Sequence, residues 1–247
     1  MYWKALAVVA VFGAMLLPQP TTAAPVQRCT SLPATIVGTH KPDVIKGTSE
    51  TDWISGRGGA DVISGLGGDD VICGGRGRVT IYAHDKAGFS TCQGEGPERS
   101  LGGQGDDKLW AGGSVTILHG GGGDDTFHGC GPRTIVDYDK SPGPIDARLW
   151  KGVAKGWGRD SLLGIDAVWG SAYRDILIGS GSSEDFAGAE GNDFIKGMGG
   201  SDDMFGNSGD DEIRGVEGIV GNDILRGFDG IDSCIGDEDD VKYDCEL

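Results

Sequence analysis

The chain has 247 residues and is acidic, with 38 Asp and Glu against 21 Lys and Arg and a formal net charge of -17. This charge argues against nucleic-acid binding, which needs basic patches, and against attraction to anionic lipid surfaces. Because the acidic residues recur at regular intervals rather than forming one tail, we interpret most of them as ligands for cations.

Residues 1–24 have the features of a cleaved secretory signal peptide. Lys4 precedes an apolar run that ends at Leu17, and small residues lead to Ala24. The run has about 13 residues, fewer than the roughly 20 that span a bilayer, so the alternative of a membrane anchor is disfavoured. The sequence therefore predicts a secreted, extracellular protein without membrane insertion, whose mature chain begins at residue 25.

Cysteines in an exported chain indicate disulfides. We predict that Cys234 pairs with Cys245, because the two are close in sequence and their bond would fasten the last coil of the fold. Spacing alone does not select the other pairings, and we favour Cys29 with Cys73 and Cys92 with Cys130.

A nine-residue pattern fills most of the mature chain. A repeat opens with Gly and carries Asp at position six and an apolar residue at position eight, and most repeats also have Gly at position four. The pattern divides the mature chain into five segments: a capping strand (34–37) with a first repeat block (25–82), a loop insert (83–101), a second repeat block (102–129), a β-strand insert (130–169), and a C-terminal repeat block with a disulfide-stapled end (170–247). Within the β-strand insert, composition predicts four short strands: Thr134–Tyr138, Ile145–Trp150, Val153–Trp157 and Ile165–Trp169.

Each position in the repeat has a physical reason. Glycine permits the tight turns through which a six-residue loop can aim its carbonyl groups inward, and the Asp carboxylate ends the loop beside them. In the three-residue strand that follows, only the middle side chain faces the interior. That single apolar side chain contributes about 1.5–3 kcal/mol, whereas ordering the backbone costs about 1–2 kcal/mol for every residue. Bound ions would therefore have to add to the stability, and hard oxygen ligands on a flexible loop suit Ca²⁺.

Residues 188–214 show the pattern most clearly, in three successive nonapeptides that begin at Gly188, Gly197 and Gly206. They resemble the RTX, or haemolysin-type, calcium-binding nonapeptide G-G-x-G-x-D-x-U-x, as in the C-terminal β-roll of serralysin-type proteases, but without a catalytic domain. The resemblance implies an all-β fold, a right-handed parallel β-roll (β-solenoid) with two nonapeptides in each coil. It also implies several Ca²⁺ ions between loops stacked on one edge, so that Asp193 and Asp211 share an ion. The implied metal ligands are Asp52, Asp61, Asp70, Asp107, Asp125, Asp175, Asp193, Asp202, Asp211, Asp223 and Asp232.

The predicted function is calcium binding that folds and stabilises a secreted β-roll with a structural, adhesive, cell-surface or matrix role. Its partner would be an extracellular polysaccharide or protein. For an isolated Asp the alternative is a turn residue that caps its own backbone. We predict that the chain is not an enzyme, because its four histidines form no H-E-x-x-H motif and there is no G-x-S-x-G motif. His119 and His128 occupy position nine and are expected to be solvated. The alternative function is a calcium-dependent carbohydrate-active enzyme or carbohydrate-binding protein that uses the 130–169 insert, with Asp137, Asp146, Trp150 and Trp157.

Overall fold

The last three residues of most repeats form a short β-strand in the computed structural model of the chain. The structure describes residues 34–67, 70–83, 97–112, 115–130, 132–216 and 223–246, and all of these belong to one compact unit, Pro33–Leu247. The predicted signal peptide (1–24) and most of the predicted loop insert (83–101) lie outside the described residues. None of the helical structure found in the described part of the chain has the length and apolar character that crossing a bilayer requires.

In the described residues the regular structure consists almost entirely of strands, with one turn of 3-10 helix at Leu149–Lys151. The strands that precede the β-strand insert are β1 (Ile36–Val37), β2 (Val44–Lys46), β3 (Trp53–Ser55), β4 (Val62–Ser64), β5 (Val71–Arg76), β6 (Thr80–Tyr82), β7 (Pro97–Gln104), β8 (Lys108–Trp110), β9 (Val115–Gly122) and β10 (Thr126–His128). The insert contributes β11 (Thr134–Asp137), β12 (Asp146–Arg148), β13 (Val153–Lys155), β14 (Arg159–Leu163) and β15 (Ala167–Trp169). The C-terminal block contributes β16 (Ile176–Ile178), β17 (Asp185–Glu190), β18 (Phe194–Lys196), β19 (Asp203–Ser208), β20 (Glu212–Arg214), β21 (Ile224–Asp229), β22 (Ser233–Ile235) and β23 (Val241–Tyr243).

These strands form two sheets in which neighbouring strands of the repeat blocks run parallel. The 11-stranded sheet has the order β1-β3-β5-β7-β9-β11-β15-β17-β19-β21-β23, and the 12-stranded sheet has the order β2-β4-β6-β8-β10-β14-β13-β12-β16-β18-β20-β22. Ile195 lies opposite Ile213, two nonapeptides later, and Ile36 lies opposite Ile54 as predicted for the capping strand. Two repeats therefore make one coil, with one strand in each sheet, and the predicted all-β parallel β-roll is confirmed.

The core is the column of position-eight side chains between the two sheets. Ile63, Ile195 and Ile213 are fully buried, as are larger members such as Phe127. Because the strands on either side alternate inward and outward residues, one side chain per repeat fills this space. Such a core holds each coil mainly against its two neighbours, so stability depends on the stacking of coils.

The β-strand insert contributes three consecutive strands to the 12-stranded sheet, between β10 and β16. Strand β13 lies between β12 and β14 and pairs antiparallel with both, while β14 pairs parallel with β10 and β12 pairs parallel with β16. Ala147, Ala154 and Leu162 continue the buried column across this segment. Strands β11, β12, β13 and β15 lie within the four predicted segments, whereas β14 was not predicted.

Disulfides fasten the roll at several points. Cys234 and Cys245 are bonded, with 5.7 Å between their Cα atoms, and this predicted pair is confirmed. Cys73 and Cys130 each form a disulfide as well, with a partner outside the described residues. Their predicted partners, Cys29 and Cys92, lie outside the described residues, so those two pairings stay predictions.

Candidate metal centres

The position-six carboxylates stack in two ladders along the edges of the roll. On the edge that leads into the 12-stranded sheet, the Asp211 Oδ1 atom accepts a hydrogen bond of 2.7 Å from the backbone N–H of Asp193. Asp125 accepts one of 2.9 Å from Asp107 in the same way. On the edge that leads into the 11-stranded sheet, Asp202 donates its N–H to Asp223 at 2.8 Å. The structure therefore brings together the aspartates that lie two repeats apart, as the nine-residue period predicts.

The second oxygen of many of these carboxylates has no hydrogen-bond donor. Within the described residues this holds for Oδ2 of seven aspartates, each at most 2% exposed: Asp61, Asp107, Asp125, Asp193, Asp211, Asp223 and Asp232. Buried polar atoms are normally satisfied, and an unpaired buried charge is expensive. A row of such atoms indicates that a cation is the missing partner.

Glycine at position one leaves space for that cation. A Cβ atom on Gly56 would lie 2.7 Å from Oδ2 of Asp61 and 2.5 Å from the carbonyl oxygen of Gly74 in the next coil. A Cβ on Gly188 would collide with Oδ2 of Asp193 and lie 2.7 Å from the Gly206 oxygen. A carboxylate oxygen and a carbonyl oxygen thus converge on a space that no side chain fills. These are the hard oxygen ligands that Ca²⁺ takes, so the residues present fit this ion.

The loops reach this arrangement through backbone angles that few residues adopt. Gly191 and Gly209, at position four, have φ of 119° and 131°, and position two also has positive φ, 84° at Ala189 and 75° at Asn207. At Gly209 a side chain would also collide with the carbonyl oxygen of Gly191. Position four of these two loops therefore requires glycine, whereas their position two accepts a residue in the left-handed region at some cost.

The electrostatics show how strongly these carboxylates resist ionisation without a cation. Burial raises the pKa of Asp125 and of Asp193 to about 8, and the neighbouring carboxylates of the ladder add to the effect. Burial likewise raises the pKa of Asp107 to about 7 and that of Asp211 to about 6. The backbone N–H donors act in the opposite direction without overcoming burial. A divalent cation would reverse this balance by favouring the charged form.

Two of the predicted ligands, Asp52 and Asp175, lie in loops of another kind. Oδ2 of Asp52 accepts hydrogen bonds from the backbone N–H and the hydroxyl of Thr48, at 2.5 and 2.9 Å. Asp175 accepts bonds from the backbone N–H and the hydroxyl of Ser171. These carboxylates have donors from their own loops.

Three members of the ladders were not predicted from the sequence. Asp160 accepts the N–H of Asp125 at 3.0 Å, Asp240 accepts that of Asp223 at 3.1 Å, and Glu246 accepts that of Asp232 at 2.6 Å. Asp160 carried a usable signal, because Gly158 lies two residues before it and the apolar Leu162 two residues after it, as in the repeats. Asp240 and Glu246 carry weaker signals, since no glycine lies two residues before them.

A separate acidic cluster lies on the outer face of the 11-stranded sheet. His119 Nε2 lies 3.1 Å from Asp137 Oδ2, and Asp139 is close by. The prediction that His119 is solvated is wrong, since it is only 9% exposed. Burial would raise the pKa of Asp137, but the hydrogen bond and charge of His119 lower it. Arg99 lies 2.5 Å from the same His119 nitrogen and Lys140 pairs with Asp139, so positive side chains already neutralise this cluster.

The other residues suggested for a carbohydrate site have different neighbours. Asp146 pairs with Arg148, and the half-exposed Trp150 lies under the Lys151 ammonium. Trp157 lies against Gly122 in the loop of another coil. These contacts place the three residues in separate surroundings.

The nine-residue pattern matches a known family by sequence. A family model of the RTX calcium-binding nonapeptide repeat (4 copies) matches residues 46–81, 94–127, 160–195 and 178–213, which together cover half of the chain. No curated protein matches it. The matched spans include the loops in which the unpaired carboxylate oxygens lie, apart from those of Asp223 and Asp232.

Proposed function

This chain belongs to the RTX calcium-binding nonapeptide-repeat family, and we propose that it is a secreted protein in which Ca²⁺ between stacked loops folds and stabilises the β-roll. The observation that carries the proposal is the row of buried Oδ2 atoms that have no donor and face carbonyl oxygens of the next coil. The residues that would hold the ions are Asp61, Asp70, Asp107, Asp125, Asp193, Asp202, Asp211, Asp223 and Asp232.

Calcium would supply the positive charge that these carboxylates lack. The loops position the oxygens before the ion arrives, because glycine at position four fixes the turn and the backbone N–H of the preceding coil holds Oδ1. An ion that binds only the folded coil stabilises it by RT ln(1 + [L]/Kd), about 2.7 kcal/mol at a hundredfold excess over Kd. Several such ions would offset the small core that one apolar residue per repeat provides.

The biological role we propose is structural or adhesive, at the cell surface or in the extracellular matrix. The matched family is a calcium-binding repeat rather than a catalytic domain, and disulfides favour an oxidising compartment. The predicted signal peptide supports secretion. An extracellular polysaccharide or protein is the partner that this role implies.

Calcium titration of residues 25–247 by calorimetry, with far-UV circular dichroism recorded in parallel, tests the proposal. We expect several ions to bind and the β signal to rise. An Asp193→Asn variant should bind less calcium, whereas Glu50→Gln, which changes an exposed carboxylate in the loop where Asp52 already has its own donors, should match the parent. No calcium binding, or an unchanged β spectrum in excess chelator, would contradict the proposal.

A further inference from the structure

The loops of the roll fall into two structural kinds that the shared position-six acid conceals. In open loops, positions two and four both have positive φ, as in Asn207 and Gly209. In closed loops, position two is Ser or Thr and its hydroxyl bonds to the position-six carboxylate. The closed loops end at Asp43, Asp52, Asp175 and Glu184, and none of their residues, all of which the structure describes, has a positive φ.

The hydroxyl at position two of a closed loop both accepts one hydrogen bond and donates another. Thr48 Oγ1 accepts the N–H of Glu50 at 3.1 Å and donates to Asp52 Oδ2 at 2.9 Å. Ser171 accepts the N–H of Tyr173 at 3.2 Å and donates to Asp175 at 2.8 Å. The same arrangement recurs at Thr39 with Asp43 and at Ser180 with Glu184. The hydroxyl and the N–H of its own residue thus supply donors of the kind that Oδ2 of Asp193 and Oδ2 of Asp211 lack in their open loops.

The position of the closed loops along the chain is regular. Those ending at Asp43 and Asp52 form the first coil of the first repeat block, with one loop on each edge. Those ending at Asp175 and Glu184 form the first coil of the C-terminal block, again with one loop on each edge.

The β-strand insert that precedes this second coil also satisfies its own carboxylates. Asp160 Oδ2 accepts a bond of 2.8 Å from the buried hydroxyl of Tyr138. Asp166 accepts one of 2.7 Å from the N–H of Thr134. Between residues 134 and 187, which the structure describes without a gap, no buried side-chain oxygen lacks a donor. The unpaired oxygens begin again at Asp193.

We propose that residues 134–187 form a calcium-independent block of the roll, whose closed loops hold no ion, and that the calcium-loaded coils assemble against this block. Ser or Thr at position two therefore decides which loops bind calcium. The inference rests on the proposed function, since it divides the loops into those that need the ion and those that do not. Asp52 and Asp175, which the sequence predicts to be calcium ligands, would then bind no ion.

Hydrogen exchange of calcium-stripped protein, residues 25–247, followed by mass spectrometry, tests the proposal. Amides in 134–187 should remain more protected than those in 188–214, and calcium should slow exchange mainly in 188–214. Equal exchange of the two segments in stripped protein would overturn the proposal that residues 134–187 form a calcium-independent block. If calcium leaves 188–214 unchanged, the proposed function itself fails, so the two failures are distinguishable.

Variants test the role of the hydroxyl. Ser171→Ala should lower protection of the 170–187 amides in stripped protein by roughly tenfold, the factor expected for one lost hydrogen bond. Ser208→Ala, in an open loop, is the control and should leave these amides unchanged. The double variant Ser171→Gly, Tyr173→Gly converts the closed loop to the open sequence and should bind more calcium per molecule than the parent. Unchanged protection in Ser171→Ala, or no gain of calcium in the double variant, would contradict the assignment.

Discussion

Replacing Ile195 by Ala should show how closely core packing and calcium binding are coupled in this roll. Ile195 is fully buried and lies in register between Leu177 and Ile213. The change removes three carbons, and at about 0.8 kcal/mol for each the lost transfer free energy is about 2.4 kcal/mol. The cavity left behind brings the expected loss to about 2–5 kcal/mol.

The loss should fall on the coils that contact Ile195, because coils in a solenoid interact mainly with their neighbours. If open loops bind Ca²⁺ only when their coil is folded, calcium affinity must fall with the stability of the coil. Since about 1.4 kcal/mol corresponds to a factor of ten, an ion that bears the whole loss would bind from about thirtyfold to several thousandfold more weakly. The effect on each ion is smaller where neighbouring ions share the loss.

Two measurements check this reasoning: urea unfolding in saturating calcium, and a calorimetric calcium titration. Ile231→Ala is the matched control, because Ile231 is 71% exposed and its truncation should change stability by less than about 0.5 kcal/mol. If the two variants lose the same stability, the position-eight column is not the core. If Ile195→Ala is less stable but binds calcium as the parent does, folding and calcium binding are not coupled.

Further predictions concern pH, glycine and the terminal disulfide. Burial raises the folded pKa of Asp193 to about 8, above its unfolded value, so this group stabilises the calcium-free roll at low pH and the contribution is lost as pH rises through about 8. Circular dichroism of stripped protein should therefore show more β structure at pH 5 than at pH 9. The opposite trend would contradict the assignment. Calcium affinity, by contrast, should fall on acidification, because protons compete for the same oxygens. Gly209→Ala should lower calcium affinity and stability strongly, whereas Gly181→Ala, where an added Cβ meets nothing within 4 Å, should have little effect in the same calorimetric titration. The Cys245→Ser variant cannot form the Cys234–Cys245 disulfide, and its last coil should be less stable by about 2–4 kcal/mol. Hydrogen exchange of β22 and β23 measures this loss. Unchanged exchange would show that the disulfide does not stabilise this end of the roll.

The parts of the fold that depend on the period alone could be predicted from the sequence. A strict nine-residue register with one apolar position allows only one side chain per repeat to face inward, and Ile63 and Ile213 are buried accordingly. The same register places Asp193 and Asp211 on one edge, because two repeats complete a coil. Where the register breaks, the prediction weakens: β14 was missed because the chain reverses direction twice between Asp146 and Leu163.

Side-chain surroundings were harder to predict than backbone position. His119 occupies an outward position, but Asp137 on the neighbouring strand pairs with it and Arg99 lies against its ring. The two kinds of loop share Gly at position one and an acid at position six, so a search for the repeat treats Asp175 and Asp193 alike. Their difference lies at position two, where Ser171 has a hydroxyl that reaches the carboxylate and Ala189 does not.

The division of the loops bears on how a roll with so small a core can assemble. A roll made only of open loops would have no coil whose carboxylates are satisfied before calcium binds, and each coil would need a folded neighbour that itself needs the ion. A coil closed by Ser171 and Ser180 provides one surface of satisfied strands on which the next coil can stack. The first ion then has to order only the coil that adds to this surface, because the block beside it is already in place. Calcium dependence can therefore be graded along the chain by the residue at position two, with no change in the period that builds the roll.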